Sequence, residues 1–318
     1  MHSAYRVMWC MKTVFIDGNQ GTTGLRIHER LQGYKDIRVV TLPDDKRKDP
    51  EAKREMLNSC DIAFLCLPDA AARESVSLCD NPETVIIDTS TAHRCDDSFA
   101  YGFPELSEAH LVKLQTSNRI AVPGCHASGF IALVQPLAAN GVLSPDTPLT
   151  CHSITGYSGG GKKMIADYED ENRNAELGSP RQYGLTQNHK HIPEMVKISG
   201  INITPIFCPI VSDFYSGMMV TVPVFASQLK CGIDELREIY KNTYTRGLVH
   251  YVEDMSEGGF IGSNNLSFKD TMEVSVCGND ERILLTARYD NLGKGASGAA
   301  VECLNIKLNN EWSYKLEI

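Results

Sequence analysis

The sequence predicts an α/β protein in which a doubly wound parallel sheet is joined to an α+β unit, and three observations carry that prediction. Short apolar runs of strand length alternate with polar or helical connections through the first part of the chain. A glycine-rich turn follows the first of these runs and opens a helical pattern. Further on, MMVTVPVFA and TMEVSVCG read as strands of an antiparallel sheet, with one helix, GIDELREIYKNTY, between them.

At 318 residues the chain is too long for one ordinary core and fits two domains, with 42% hydrophobic residues to fill them. The formal net charge is -9, and the longest Lys/Arg run is KRK at 46–48, which argues against a nucleic-acid partner. An uninterrupted apolar stretch of roughly 20 residues, the length that spans a bilayer, is absent, so no membrane association is expected. MHSAYRVMWC lacks the apolar centre and cleavage site of a signal peptide and reads as an extension before a second candidate start at Met11. Eleven cysteines without a C-x-x-C pair argue against a disulfide framework and a Cys-rich zinc site; reduced thiols in a cytoplasmic protein are expected.

In KTVFIDGNQGTTGLRIHERLQ, Val14, Phe15 and Ile16 form a short buried strand, and Leu25, His28 and Leu31 then recur at helical spacing. Gly18, Gly21 and Gly24 therefore lie on the strand-to-helix turn. Glycines there let backbone N–H groups approach a pyrophosphate, and the helix N-terminus adds partial positive charge. The spacing is G-x-x-G-x-x-G rather than G-x-G-x-x-G, and a simple tight turn is the competing reading. The runs IRVVTL (37–42), DIAFLCLP (61–68) and TVIIDTS (84–90) supply the next strands, and in that context the turn opens a Rossmann-like domain. After the second strand, Asp44 and Asp45 suit a ribose hydroxyl, whereas Lys46, Arg47 and Lys48 suit a 2′-phosphate. A solvated charge run fits equally well, so the residues alone leave NAD and NADP open.

IAVPGCHASGFIALVQP brings one cysteine to the start of a helix. IAV ends a strand, Pro123-Gly124 turns the chain, and Phe130, Ile131 and Val134 face inward until Pro136 and Gly141 end the helix. Unpaired amides at a helix start stabilise a thiolate and an oxyanion on an acyl group attached to sulfur. For most of the other cysteines a buried structural role is expected instead. A phosphatase loop would need an arginine soon after Cys125, and CHASGFI has none. His126, adjacent in sequence, is expected to point elsewhere. A base must come from further on, and TQNHKHIPEMVK (186–197) offers His189 and His191, which in an extended segment share one face. A His-x-His metal site is the alternative; a third ligand is not evident, and no metal is expected.

Taken together, FIDGNQGTTG, YGFPEL, VPGCHASG, SGGGKK, NHKHIPEM and DNLGKGASGAAVECLN resemble N-acetyl-gamma-glutamyl-phosphate reductase of arginine biosynthesis in its shorter form, in the aspartate-semialdehyde dehydrogenase-like group of acyl-phosphate reductases. The likeness runs from about Met11 to the C-terminus. The family's cysteine motif resembles P-G-C-[FY]-x-T, where this chain has His126 and Ser128.

The resemblance implies an NADP-dependent enzyme in which Cys125 attacks a small-molecule acyl phosphate, expels phosphate and holds a thioester that hydride converts to the semialdehyde. It implies His189 as acid/base, with His191 orienting it or touching substrate. Arg94, Lys162 and Lys163 are candidates for the substrate's anionic groups, or else surface cations. The cofactor site would comprise Gly18, Asn19, Gly21, Thr22, Thr23 and Gly24 of the turn, Pro68 and Ser90, Ser158 and Gly159, and Asn291 and Gly295, with Asn291 on the carboxamide. Residues 11–125 and 290–318 would form the NADP-binding domain, and 126–289 the catalytic, substrate and dimerisation domain of a homodimer or homotetramer. Aspartate-semialdehyde dehydrogenase and aminoadipyl-phosphate reductase are the sibling alternatives. A non-catalytic nucleotide-binding regulator is the alternative of another class.

Overall fold

The structure is a computed structural model and describes residues 11–18 and 21–318. The expected N-terminal extension lies outside the described residues. The first sheet contains β1 (Lys12–Asp17), β2 (Ile37–Val40), β3 (Ile62–Leu65), β4 (Val85–Asp88), β5 (Ala100–Tyr101) and β6 (Arg119–Ala121). Every pair is parallel, in the order β2-β1-β3-β4-β6-β5. Its connecting helices are α1 (Thr22–Leu31), α2 (Pro50–Ser59), α3 (Asp69–Leu78) and α4 (Glu108–Thr116).

The period of two along β1 explains why the sheet is covered on both sides. Val14 and Ile16 pack with Ile27 and Leu31 of α1, while Phe15 packs with Leu57 of α2 on the opposite face. The strand order reverses beside β1, so the crevice above its C-terminal end is the position where α/β sheets take ligands. The last helix, α9 (Gly298–Lys307), returns to this sheet: Ala300, Val301 and Leu304 are buried in the same cluster as Val14 and Ile16.

The second sheet contains β7 (Thr150–Gly156), β8 (Arg181–Gln182), β9 (Ile206–Ser212), β10 (Met218–Phe225), β11 (Val249–Tyr251), β12 (Met272–Gly278) and β13 (Arg282–Tyr289), in the order β11-β12-β13-β10-β7-β9-β8. β10 and β12 stand where the sequence puts strands, but the sheet is mixed rather than antiparallel. β7 pairs with β9, and β11 with β12, in parallel. Parallel neighbours need a long crossover, and the one from β7 to β9 is made by α6 (Gly161–Glu169) and α7 (Ile192–Ser199). Helix α8 (Ile233–Thr243) is therefore not alone. That crossover carries both the SGGG turn and the two histidines.

Helix α5 (Cys125–Ala139) is almost wholly buried against the second sheet, with Phe130, Ile131 and Val134 at 0% exposure. It runs through Pro136 instead of ending there. A proline removes the N–H that would satisfy the carbonyl four residues earlier. Here that carbonyl, on Ala132, accepts from the Tyr244 hydroxyl at 2.6 Å, so the helix loses no buried hydrogen bond at this point. It ends at Asn140, and Gly141 follows in the left-handed region at φ +69°.

Candidate active site

Cys125 is the first residue of α5, with Gly124 as its N-cap. The backbone around it is fixed by three bonds. The Gly124 amide donates to Glu194 Oε1 at 2.8 Å, the Cys125 carbonyl accepts from the Tyr289 hydroxyl at 2.6 Å, and the Gly129 amide donates to that phenolic oxygen at 3.0 Å. A Cβ at position 124 would come within 3 Å of Arg94 Nη1, His191 Nε2 and Glu194 Oε2, so a side chain there would displace the ends of these three site residues. The half-buried thiol opens into a cavity of about 290 Å³ lined by Arg94, His126, His189, His191 and Asn291 among others.

Burial pushes the Cys125 thiol up, and the Arg94 charge and the His126 amide pull it back only in part. This corrects the expectation that the helix start alone would yield a stabilised thiolate. In the free chain, desolvation outweighs the amides.

Arg94 is buried, and its guanidinium donates to the carbonyls of Val122 (2.8 Å) and Thr89 (3.0 Å) and to Glu194 Oε2 (3.1 Å). Glu194 also accepts from the Tyr101 hydroxyl at 2.7 Å. Sequence reasoning missed Glu194. It stands in the first turn of α7, where an acid reads simply as a favourable charge at a helix N-terminus.

His189 and His191 do come together, but not as neighbours on an extended strand. The chain turns at 187–191 and His191 caps α7, so the rings meet edge to face with centroids 4.8 Å apart. His189 Nδ1 accepts from the His191 backbone N–H at 3.2 Å, which leaves the ring proton on Nε2. His191 is buried, and its Nδ1 has no hydrogen-bond partner among the described residues. Burial lowers both imidazoles, with Lys190 adding to His189, which falls to about 4, and Arg94 adding to His191. Both are neutral near pH 7.

His126, expected to point elsewhere, lines the same cavity, with ring centroids 5.5 Å from His189 and 5.7 Å from His191. Because the cavity wraps the start of α5, two successive residues both reach it. Both His126 nitrogens are engaged, Nδ1 with Ser153 Oγ at 2.7 Å and Nε2 with Tyr183 Oη at 2.6 Å. Among the described residues, no group of three or more His, Cys, Asp or Glu side chains is placed to hold a metal ion.

The residues expected to bind the cofactor fall into two connected places. Gly21, Thr22, Thr23, Gly24, Pro68 and Ser90 line a crevice at the C-terminal end of the first sheet. It shares Thr23, Thr89, Arg94 and Lys190 with the cysteine cavity. Gly159, Asn291 and Gly295 line the cysteine cavity itself. Ser158 is buried and accepts from Asn291 Nδ2 at 3.0 Å, while Asn291 Oδ1 takes the Gly217 amide at 2.9 Å. Asn19 lies outside the described residues. Lys162 and Lys163 are exposed on α6 and do not line the cysteine cavity; Lys162 borders a separate groove with Arg26 and Phe268.

The crevice fits a nucleotide's pyrophosphate. Gly18 has φ +90° and a Cβ there would collide with the Cys66 carbonyl, so the turn depends on glycine. At Gly21, the cap of α1, the nearest atom to a Cβ among the described residues is the Gly18 carbonyl oxygen at 4.0 Å. The first-turn amides of α1 that follow Gly21 have no helical acceptors of their own and favour an anion.

Two family models match the chain: a semialdehyde dehydrogenase NAD-binding domain over residues 13–114 and a semialdehyde dehydrogenase dimerisation domain over 125–291. An N-acetyl-gamma-glutamyl-phosphate reductase of Burkholderia lata is 41% identical over 304 residues, covering 93% of this chain and 96% of that protein. One from a Chelativorans species is 43% identical over 306 residues, covering 93% and 98%. Among solved structures, aspartate semialdehyde dehydrogenase II of Vibrio cholerae shares the fold, with a TM-score of 0.70 at 16% identity over 94% of this chain and 98% of that one. No helix among the described residues is long and apolar enough to cross a membrane.

Proposed function

The chain belongs to the semialdehyde dehydrogenase family, and from that premise we propose how its residues carry out the NADPH-dependent reduction of N-acetyl-glutamyl 5-phosphate to N-acetyl-glutamate 5-semialdehyde with release of phosphate, a step of arginine biosynthesis. The observation that carries this reading is the position of Cys125, at the start of α5 in a cavity continuous with the glycine-turn crevice.

The Cys125 thiol first gives up its proton to solvent; Sγ, as thiolate, then attacks the acyl carbon, the bond to phosphate breaks and a thioester forms. Arg94 and Lys190, at the edge common to cavity and crevice, draw the substrate's phosphate to that side. Gly18, Gly21–Gly24, Pro68 and Ser90 would hold NADPH, with Asn291 as the residue for its carboxamide, and the cofactor would supply the hydride for the thioester carbon. His189, whose Nε2 carries the proton, stabilises the resulting oxyanion. Collapse of the thiohemiacetal breaks the C–S bond and returns the thiolate. His191 holds the turn that presents His189. We place the enzyme in the cytoplasm as a homodimer or homotetramer, a reading supported by its free cysteines and by the match to a dimerisation domain.

The test runs the reaction backwards. NADP reduction with phosphate and N-acetyl-glutamate 5-semialdehyde is expected, with little activity on aspartate semialdehyde; the reverse preference overturns the substrate. Cys125→Ser should abolish turnover while leaving NADPH affinity nearly unchanged, and retained turnover overturns the thioester.

A further inference from the structure

His126 lies between two hydroxyls, Ser153 Oγ at Nδ1 and Tyr183 Oη at Nε2. Burial pushes its imidazole down to about 3, aided by His189 and Lys190, so the ring is neutral and carries one N–H. Two hydroxyl hydrogens and one ring hydrogen therefore share two contacts, and one hydroxyl hydrogen must point away. The surroundings decide which. Ser153 is 0% exposed on β7, and its Oγ has no other partner among the described residues. If its hydrogen pointed away, a buried donor would be left without an acceptor. Tyr183 is only half-buried and lines the cysteine cavity. Its hydrogen can point into that space.

The structure assigns a fixed relay, and we propose that it makes Tyr183 a substrate-binding donor: Ser153 O–H donates to His126 Nδ1, His126 Nε2–H donates to Tyr183 Oη, and the Tyr183 O–H faces an oxygen of the acyl substrate held at Cys125. Burial and the neighbouring Cys125 push the phenol up, which keeps it a donor. Tyr183 touches substrate in this arrangement, while His126 and Ser153 are positioning residues. The proposal rests on the reaction described above, but its first test does not.

The tautomer is read directly from histidine ¹⁵N shifts in labelled protein, with His126 assigned by its loss in H126F. Protonated Nε2 and bare Nδ1 are expected; the opposite tautomer overturns the relay. Tyr183→Phe should lower kcat/KM for the acyl substrate by roughly 10- to 100-fold with NADPH affinity unchanged. Ser153→Ala, which frees His126 to accept from Tyr183, should lower it by about 3- to 10-fold and shift the ¹⁵N pattern toward protonated Nδ1. Unchanged kcat and KM in Tyr183→Phe overturn the donor role. Cys125→Ser, assayed alongside, separates the two failures: if it stays active, the underlying reaction is wrong, and if it is dead while Tyr183→Phe is normal, only the relay is.

Discussion

Glu194 Oε1 accepts the Gly124 amide at 2.8 Å, so the residue just ahead of the nucleophile is tied to the helix that follows the histidines. The same carboxylate pairs through Oε2 with Arg94, the buried cation that draws the Cys125 thiol downward. One side chain thus sets the backbone of Cys125 and offsets the charge beside it.

The two jobs separate in Glu194→Gln, which keeps an oxygen for Gly124 and removes the charge. Glu194 pushes the thiol up, so its loss leaves Arg94 unopposed and the thiol falls. Iodoacetamide should then modify Cys125 faster at pH 7 than in the wild type, and Arg94→Met should slow it. Glu194→Ala, which leaves the buried Arg94 charge with only the Val122 and Thr89 carbonyls as acceptors, should cost about 3 to 5 kcal/mol in urea unfolding.

The imidazoles give a pH prediction whose sign is fixed. Each has a folded value below the ordinary 6.5, with His189 at about 4 and His126 at about 3, so the unfolded chain binds more protons as pH falls. Their contribution to stability is complete above about pH 6.5 and is lost progressively toward pH 4 and below. Melting temperature measured from pH 8 to 4 should hold level and then decline, with a shallower decline in His189→Asn. That variant should also lower kcat by about 10² to 10⁴ with little change in KM.

Five strands of the first sheet, the glycine turn and the cysteine at a helix start were legible because each is written in consecutive residues, whereas the two-residue β5 was not. The rest depends on partners far away in the chain. Pro136 reads as a stop until Tyr244, 108 residues later, is seen to satisfy the carbonyl it orphans. His126 reads as a bystander until Ser153 and Tyr183 close on its two nitrogens. The mixed second sheet was hidden for a related reason. Parallel pairing of β7 with β9 is decided by a crossover of two helices, and nothing in either strand's own residues records it.

A second buried cluster makes its own prediction. Lys294 is 2% exposed, donates to Glu105 Oε1 at 2.6 Å and to Glu302, and sits beside Gly295, where an added Cβ would be 3.0 Å from Cys125 Cβ. Two carboxyls share one ammonium. Burial and the neighbouring Glu105 raise Glu302, while Lys294 and the Leu248 amide hold Glu105 down, so of the two carboxyls Glu302 takes a proton more readily. Glu302→Gln mimics that neutral form and should stay within about 1 kcal/mol of the wild type. Lys294→Met leaves Glu105 buried and uncompensated and should cost roughly 3 to 5 kcal/mol. Urea midpoints check both; equal losses in the two variants would put the proton elsewhere.

The glycine turn separates folding from binding, because two of its glycines face different surroundings. At Gly18, the φ of +90° and the Cys66 carbonyl leave no room for a Cβ, so Gly18→Ala should lower stability by about 1 to 3 kcal/mol. At Gly21, the nearest described atom to a Cβ is 4.0 Å away, so Gly21→Val should still fold, with a loss of about 1 kcal/mol for the poorer cap of α1. Its branched side chain would also crowd the first-turn amides of α1, and NADPH affinity measured by fluorescence titration should fall about 5- to 150-fold. If Gly21→Val binds NADPH like the wild type, the pyrophosphate does not lie on these amides. Replacing Lys46, Arg47 and Lys48 with Ala then reads the other end of the cofactor: the three occupy an exposed turn after β2. If they meet the 2′-phosphate, NADPH binding should weaken and NADH binding should not.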